Sequence, residues 1–186
     1  MKIGLYGGSF DVIHVGHLML AEYALDAYDL DKVYFIPDGK SSYNDKKFLF
    51  SKDFREKCIR QSIKDNPKFF YSPKFINSNK ETKTLDIVNH FRKFHPNDEL
   101  YFICGYDCQD RVLKWYKYQE ILEKCKLVFG STDPINDIEF YMPPVAIRST
   151  LIKELLRKQH SIKYLLHPNI CEIVLDYVSK HGRMFK

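Results

Sequence analysis

A chain of 186 residues, 45% hydrophobic and 28% charged, has the length and composition of one globular domain whose core needs no staples. The formal net charge of +5 is carried by scattered lysines, which excludes a cationic nucleic-acid arm and suits an anionic ligand. Five cysteines, an odd number with no CxxC pair, exclude a disulfide framework, and no apolar run is long enough to span a membrane. Cys104 and Cys108 lack the second Cys/His pair that a metal site needs. No signal-peptide pattern precedes Phe10, so a cytoplasmic protein is expected.

The predicted elements alternate along the chain. Ile3 to Tyr6 reads as a buried strand ending at Gly7-Gly8, and Leu18, Ala21, Leu25 and Tyr28 recur at helical spacing. Val33 to Ile36 is a strand stopped by Pro37-Asp38-Gly39, followed by a lysine-rich loop from Lys40 to Lys47. A helix is predicted over Phe54 to Ile63, and a short strand over Phe69 to Tyr71. Thr84 is placed as the cap of a helix carrying Ile87, Val88, Phe91 and Phe94. Leu100 to Cys104 is a strand, then a helix runs through Ile121 and Leu122, then strands over Leu127 to Phe129 and Phe140 to Met142. Ser149 opens a helix with Ile152, Leu155 and Leu156, and Pro168 opens the last one. This alternation predicts an α/β fold: a doubly wound parallel sheet with helices on both faces, a C-terminal helical segment, and a single domain over residues 1–186. Such sheets bind ligands at the carboxyl ends of their strands.

Two segments carry chemistry. In Gly7-Gly8-Ser9-Phe10-Asp11-Val12-Ile13-His14-Val15-Gly16-His17, glycines after a strand admit an anion to backbone N–H groups, and a helix start follows. His14 and His17 are three apart, so both face one phosphate chain, as hydrogen-bond donors or as cations. No nucleophile sits with a base here, which suits in-line transfer by positioning and charge stabilisation. In Arg148-Ser149-Thr150-Leu151-Ile152-Lys153, two hydroxyls at a helix start and a cation one turn later suit phosphate oxygens. A third group, Thr82-Lys83-Thr84 with Trp115, sets helix-start N–H groups and a cation alongside the chain's single indole.

The first string resembles the signature of the HxGH nucleotidylyltransferases, with Val12 where the family has proline. The Arg148 to Lys153 segment is similar to their second signature. Lys153 stands where pyridine-nucleotide enzymes mostly carry arginine and pantetheine-phosphate enzymes carry lysine. Ile63 to Phe69, Glu81 to Asp86, Phe102 to Asp107 with Trp115, and Ser161 to Leu165 resemble the nicotinate-nucleotide adenylyltransferases, so the resemblance runs over nearly the whole chain. It implies a Rossmann-like fold and transfer of the adenylyl group of ATP, with Mg2+, to nicotinate or nicotinamide mononucleotide in NAD biosynthesis. By that resemblance Gly7, Gly8, Ser9, Phe10, His14, His17, Ser149, Thr150 and Lys153 bind ATP, and Gly105 and Asp107 hold its ribose. His14, His17 and Lys153 carry the transfer, and Thr82, Lys83, Thr84 and Trp115 bind the mononucleotide. Arg148 is left open between sharing the phosphate load and facing solvent, and either Lys46 or Lys47 is a candidate for the triphosphate. A pantetheine-phosphate adenylyltransferase, a cytidylyltransferase and a non-catalytic nucleotide sensor stay open, as does the oligomeric state.

Overall fold

The structure is a computed structural model that describes residues 1–40, 48–105, 108–131, 140–141 and 145–182. Six strands form one sheet: β1 Lys2–Gly8, β2 Lys32–Pro37, β3 Phe69–Tyr71, β4 Glu99–Gly105, β5 Lys126–Ser131 and β6 Phe140–Tyr141. Their order is β3-β2-β1-β4-β5-β6, and every pairing is parallel. The helices are α1 Val15–Ala27, α2 Lys52–Ile63, α3 Thr84–Phe94, α4 Tyr118–Lys124, α5 Ser149–Arg157 and α6 Pro168–Lys180.

The alternation along each strand sorts the core into two layers. Ile3, Leu5, Leu100 and Phe102 pack against Val88 and Phe91 of α3 and Ile121 of α4. Their neighbours Tyr6, Tyr101 and Ile103 pack on the other face with Ala21 of α1, Ile59 of α2, Ile152 of α5 and Ile170 of α6. Burial of each such aliphatic or aromatic side chain stabilises by about 1.5–3 kcal/mol.

The chain leaves β1 for β2 and β3 on one side, then returns to build β4, β5 and β6 on the other. The carboxyl ends of β1 and β4 therefore lie at the point where the winding reverses, which is where such sheets open a crevice. Gly8 closes β1 there and Gly105 closes β4.

One cap differs from the expected one. Lys83, not Thr84, is the N-cap of α3, and its N–H donates to the Asp86 carboxylate at 3.1 Å. An acidic residue in the first turn satisfies an N–H that a threonine cap would have left to water, so Thr84 becomes the first helical residue. Pro168 does open α6, and Ser51 caps α2 through the Phe54 N–H.

Candidate active site

The turn after β1 is shaped differently from the glycine cradle that the sequence suggests. No described glycine has a positive φ; Phe10 does, at 44°. Gly7 serves the core instead, since a Cβ there would lie 3.1 Å from both Ile87 and Phe102. A non-glycine residue in the left-handed region costs about 1–2 kcal/mol. Arg55 of α2 offsets that cost. Arg55 is 1% exposed, and its guanidinium donates to the Ser9 carbonyl at 2.7 Å and the Asp38 carbonyl at 2.9 Å. It also lies 3.9 Å from the Phe48 ring. Hydrogen bonds from a charged donor contribute about 1.5–3 kcal/mol each, enough to hold the turn. Burial pushes the Asp38 carboxyl up to about 7, with Glu81 adding to the effect and Arg55 opposing it. Gly39, next in the chain, must be glycine because a Cβ would fall 2.3 Å from the Ser78 carbonyl oxygen.

Helix α1 starts at Val15 with His14 as its N-cap. Most of its early N–H groups already have acceptors. His14 N–H donates to His17 Nδ1 at 3.2 Å, Val15 N–H to the Leu165 carbonyl at 3.0 Å, and His17 N–H to the His14 carbonyl at 2.9 Å. The imidazoles, rather than a bare helix terminus, are what this corner presents. Their rings stack with centroids 3.7 Å apart, and His17 meets the Phe10 ring edge-on at 5.1 Å.

Both imidazoles are held neutral. Burial pushes His14 down to about 4, and burial with the neighbouring His14 pushes His17 well below the usual histidine range. The tautomer of His17 follows from its partner. Nδ1 accepts the His14 N–H, so the ring proton sits on Nε2, which is left as a donor. Protonation would turn Nδ1 into a donor facing a donor. His14 also gives a stability prediction. Its imidazole binds a proton near pH 6.5 when unfolded but only near pH 4 when folded. Between those values the unfolded state holds more protons, so stability falls as pH drops through that window, by on the order of 3 kcal/mol from this residue. Thermal midpoints measured between pH 7 and 4 should fall more steeply for the natural chain than for His14→Asn; equal slopes would count against the assignment.

The start of α5 braces this corner. Arg148 is the N-cap and is exposed, as is Thr150. The Ser149 hydroxyl donates to the Val12 carbonyl at 3.0 Å. Lys153 pairs with the Asp11 carboxylate, which also accepts the Phe50 N–H at 2.9 Å and the Leu49 N–H at 3.1 Å. The structure thus ties Ser149 and Lys153 to the turn itself. It also joins the turn after β1 and the start of α5 in one network.

On the far side of the crevice, Thr82 is buried at the entry to α3, and the Lys83 ammonium lies 4.0 Å over the Tyr116 ring. Trp115 is half-buried and edge-on to Phe102 at 5.8 Å. Lys83 is thereby brought over Tyr116, the neighbour of Trp115 in the chain. The sequence reading missed Tyr116, whose only local signal was adjacency to the tryptophan. It also missed Arg55, although an arginine in register with the buried Cys58, Ile59 and Ser62 was a visible clue. Gly105 pairs with Gly130 at the end of β4. Asp107, Lys46 and Lys47 lie outside the described residues.

A parallel sheet with a histidine-bearing turn at its switch point is the architecture of a nucleotidyltransferase, and residues 5–155 match the cytidylyltransferase-like family. The chain is 33% identical to the "Probable nicotinate-nucleotide adenylyltransferase" of Clostridium tetani, over 95% of this chain and 97% of that protein. It is 32% identical to the protein of the same description from Caldicellulosiruptor bescii, with both chains covered in full. The chain belongs to the nicotinate-nucleotide adenylyltransferases, a family of nucleotidyltransferases. The fold is shared with the Plasmodium falciparum nicotinic acid mononucleotide adenylyltransferase solved in complex with NaAD. The TM-score is 0.78 at 20% identity, with 98% of this chain and 97% of that one covered.

Proposed function

We propose that residues 1–186 act as one domain that transfers the adenylyl group of ATP to nicotinate or nicotinamide mononucleotide, a step of NAD biosynthesis in the cytoplasm. The observation that carries this reading is the stacked pair of neutral imidazoles at the end of β1, with Nε2–H of His17 left as a donor. The triphosphate lies along Gly8, Ser9 and Phe10 against His14 and His17, within reach of Arg148, Ser149, Thr150 and Lys153. Gly7 lets β1 pack against Ile87 and Phe102 beneath the turn, and Gly105 with Asp107 takes the adenosine ribose. Thr82, Lys83, Thr84 and Trp115 receive the pyridine ring.

A 5′-phosphate oxygen of the mononucleotide attacks the α-phosphorus. The bond from that phosphorus to the bridging oxygen breaks, and pyrophosphate leaves with the electron pair. No side chain needs to form a bond, because the work is positioning and charge stabilisation. Among the described residues no three His, Cys, Asp or Glu side chains converge as a metal cage, and the Asp11 carboxylate is already engaged by Lys153. The hydrogen-bond donors of this corner suit phosphate oxygens rather than a metal, so a magnesium ion would arrive with the triphosphate and would neutralise charge on the leaving group.

The test offers the purified chain ATP and magnesium with nicotinate mononucleotide, nicotinamide mononucleotide or phosphopantetheine in turn. Dinucleotide and pyrophosphate should form with a pyridine substrate. Turnover of phosphopantetheine alone would move the chain to another branch of the class, and no pyrophosphate above background would make it a nucleotide sensor.

A further inference from the structure

We infer that Arg55 is a positioning residue for the reaction, one that aims the Phe10 N–H at the ATP phosphates by holding the Ser9 carbonyl from behind. The inference rests on the functional reading above but concerns a residue outside that site. Arg55 is among the largest fully buried side chains in the molecule, and it cannot touch substrate. Its contacts are backbone carbonyls: Ser9 in the turn after β1 and Asp38 in the turn after β2. Asp38 N–H in turn donates to the Gly8 carbonyl at 3.0 Å, so the two turns are stitched together around one guanidinium.

The consequence follows from peptide geometry. The Ser9–Phe10 peptide is trans, so its C=O and N–H point in opposite directions. A carbonyl drawn inward to Arg55 turns the Phe10 N–H the opposite way, away from that buried cation. The Phe10 N–H has no acceptor among the described residues. Phe10 reaches this orientation only through its positive φ of 44°, which a side chain resists. Without the guanidinium the peptide is free to rotate, and its carbonyl would then face the phosphates in place of its N–H. A lysine at position 55 keeps the buried charge but ends one bond short of the arginine nitrogen that bridges both carbonyls.

Ser9–Phe10 is the only Ser-Phe step in the chain, so carbonyl-labelled serine with nitrogen-labelled phenylalanine reports that one amide by NMR. In the full natural chain this signal should move when ATP and magnesium are added. In Arg55→Lys the movement should be lost and kcat/KM for ATP should fall by about 10²-fold, as for loss of one oriented donor. The KM for the mononucleotide should not change. A merely structural arginine would lower the melting midpoint and leave the amide response of the folded fraction intact. A folded Arg55→Lys with the natural amide response and kcat/KM overturns the inference. So does a natural chain that binds ATP by calorimetry while its Phe10 amide stays still, and this result decides the matter even if Arg55→Lys does not fold. If the amide answers to ATP but no pyridine mononucleotide is adenylated, the functional reading falls and the role of Arg55 in ATP binding stands.

Discussion

His17→Ala is expected to lower kcat by about 10²–10³-fold, the usual cost of deleting one donor aimed at developing charge. The expectation comes from the tautomer. With Nδ1 occupied by the His14 N–H, Nε2 is the ring atom that carries the proton, and alanine has no equivalent. The fold should survive, because the substitution frees a single backbone N–H at the helix start. Burial and the adjacent His14 hold the ring neutral, so kcat of the natural chain should stay level from pH 6 to pH 8. Turnover measured across that range, with His17→Ala and His17→Gln alongside, checks both points. Glutamine keeps an N–H and should recover part of the loss. A rate that falls with rising pH near 6.5 would mean a charged imidazole does the work, and the tautomer argument would then fail.

The second large effect is on stability. Lys153→Met leaves the Asp11 carboxylate, 3% exposed, with two backbone donors and no paired ammonium. Removing one partner of a buried ion pair costs about 3–5 kcal/mol. The positive charge of Arg55 nearby places the cost at the lower end. For a chain of this size about 3 kcal/mol corresponds to a fall of roughly 6–12 °C in the melting midpoint. Adding Asp11→Asn to Lys153→Met removes the stranded charge, so the double variant should be less destabilised than the sum of the single ones. Calorimetric midpoints of the three variants test this. A Lys153→Met midpoint within about 2 °C of the natural chain would show that the pair does not hold α5 to the turn.

This second case also separates what is local from what is not. Lys153 reads as a phosphate ligand because a cation one turn into a helix, after two hydroxyls, has that local meaning, and its pairing with Asp11 adds a second role. Its partner Asp11 is 142 positions away, and no spacing rule connects them. Arg55 was passed over for the same reason: its acceptors are backbone carbonyls of two other turns, and carbonyls carry no sequence signature. The Thr84 cap was misplaced by one residue because the Asp86 carboxylate accepts the Lys83 N–H and lets the helix begin one residue earlier, which sequence preference alone does not resolve.

By itself the sequence determined the order of strands and helices, the parallel sheet and the corner from Gly7 to His17. Hydrophobic periodicity and close-spaced residue types are local properties, and these features are built from them. Only the tertiary structure decided which proton His17 keeps, which carboxylate Lys153 meets and what turns the Ser9 carbonyl inward. Each of these depends on groups that meet only after the sheet has wound, and on the loss of water that makes an unpaired charge or donor costly there.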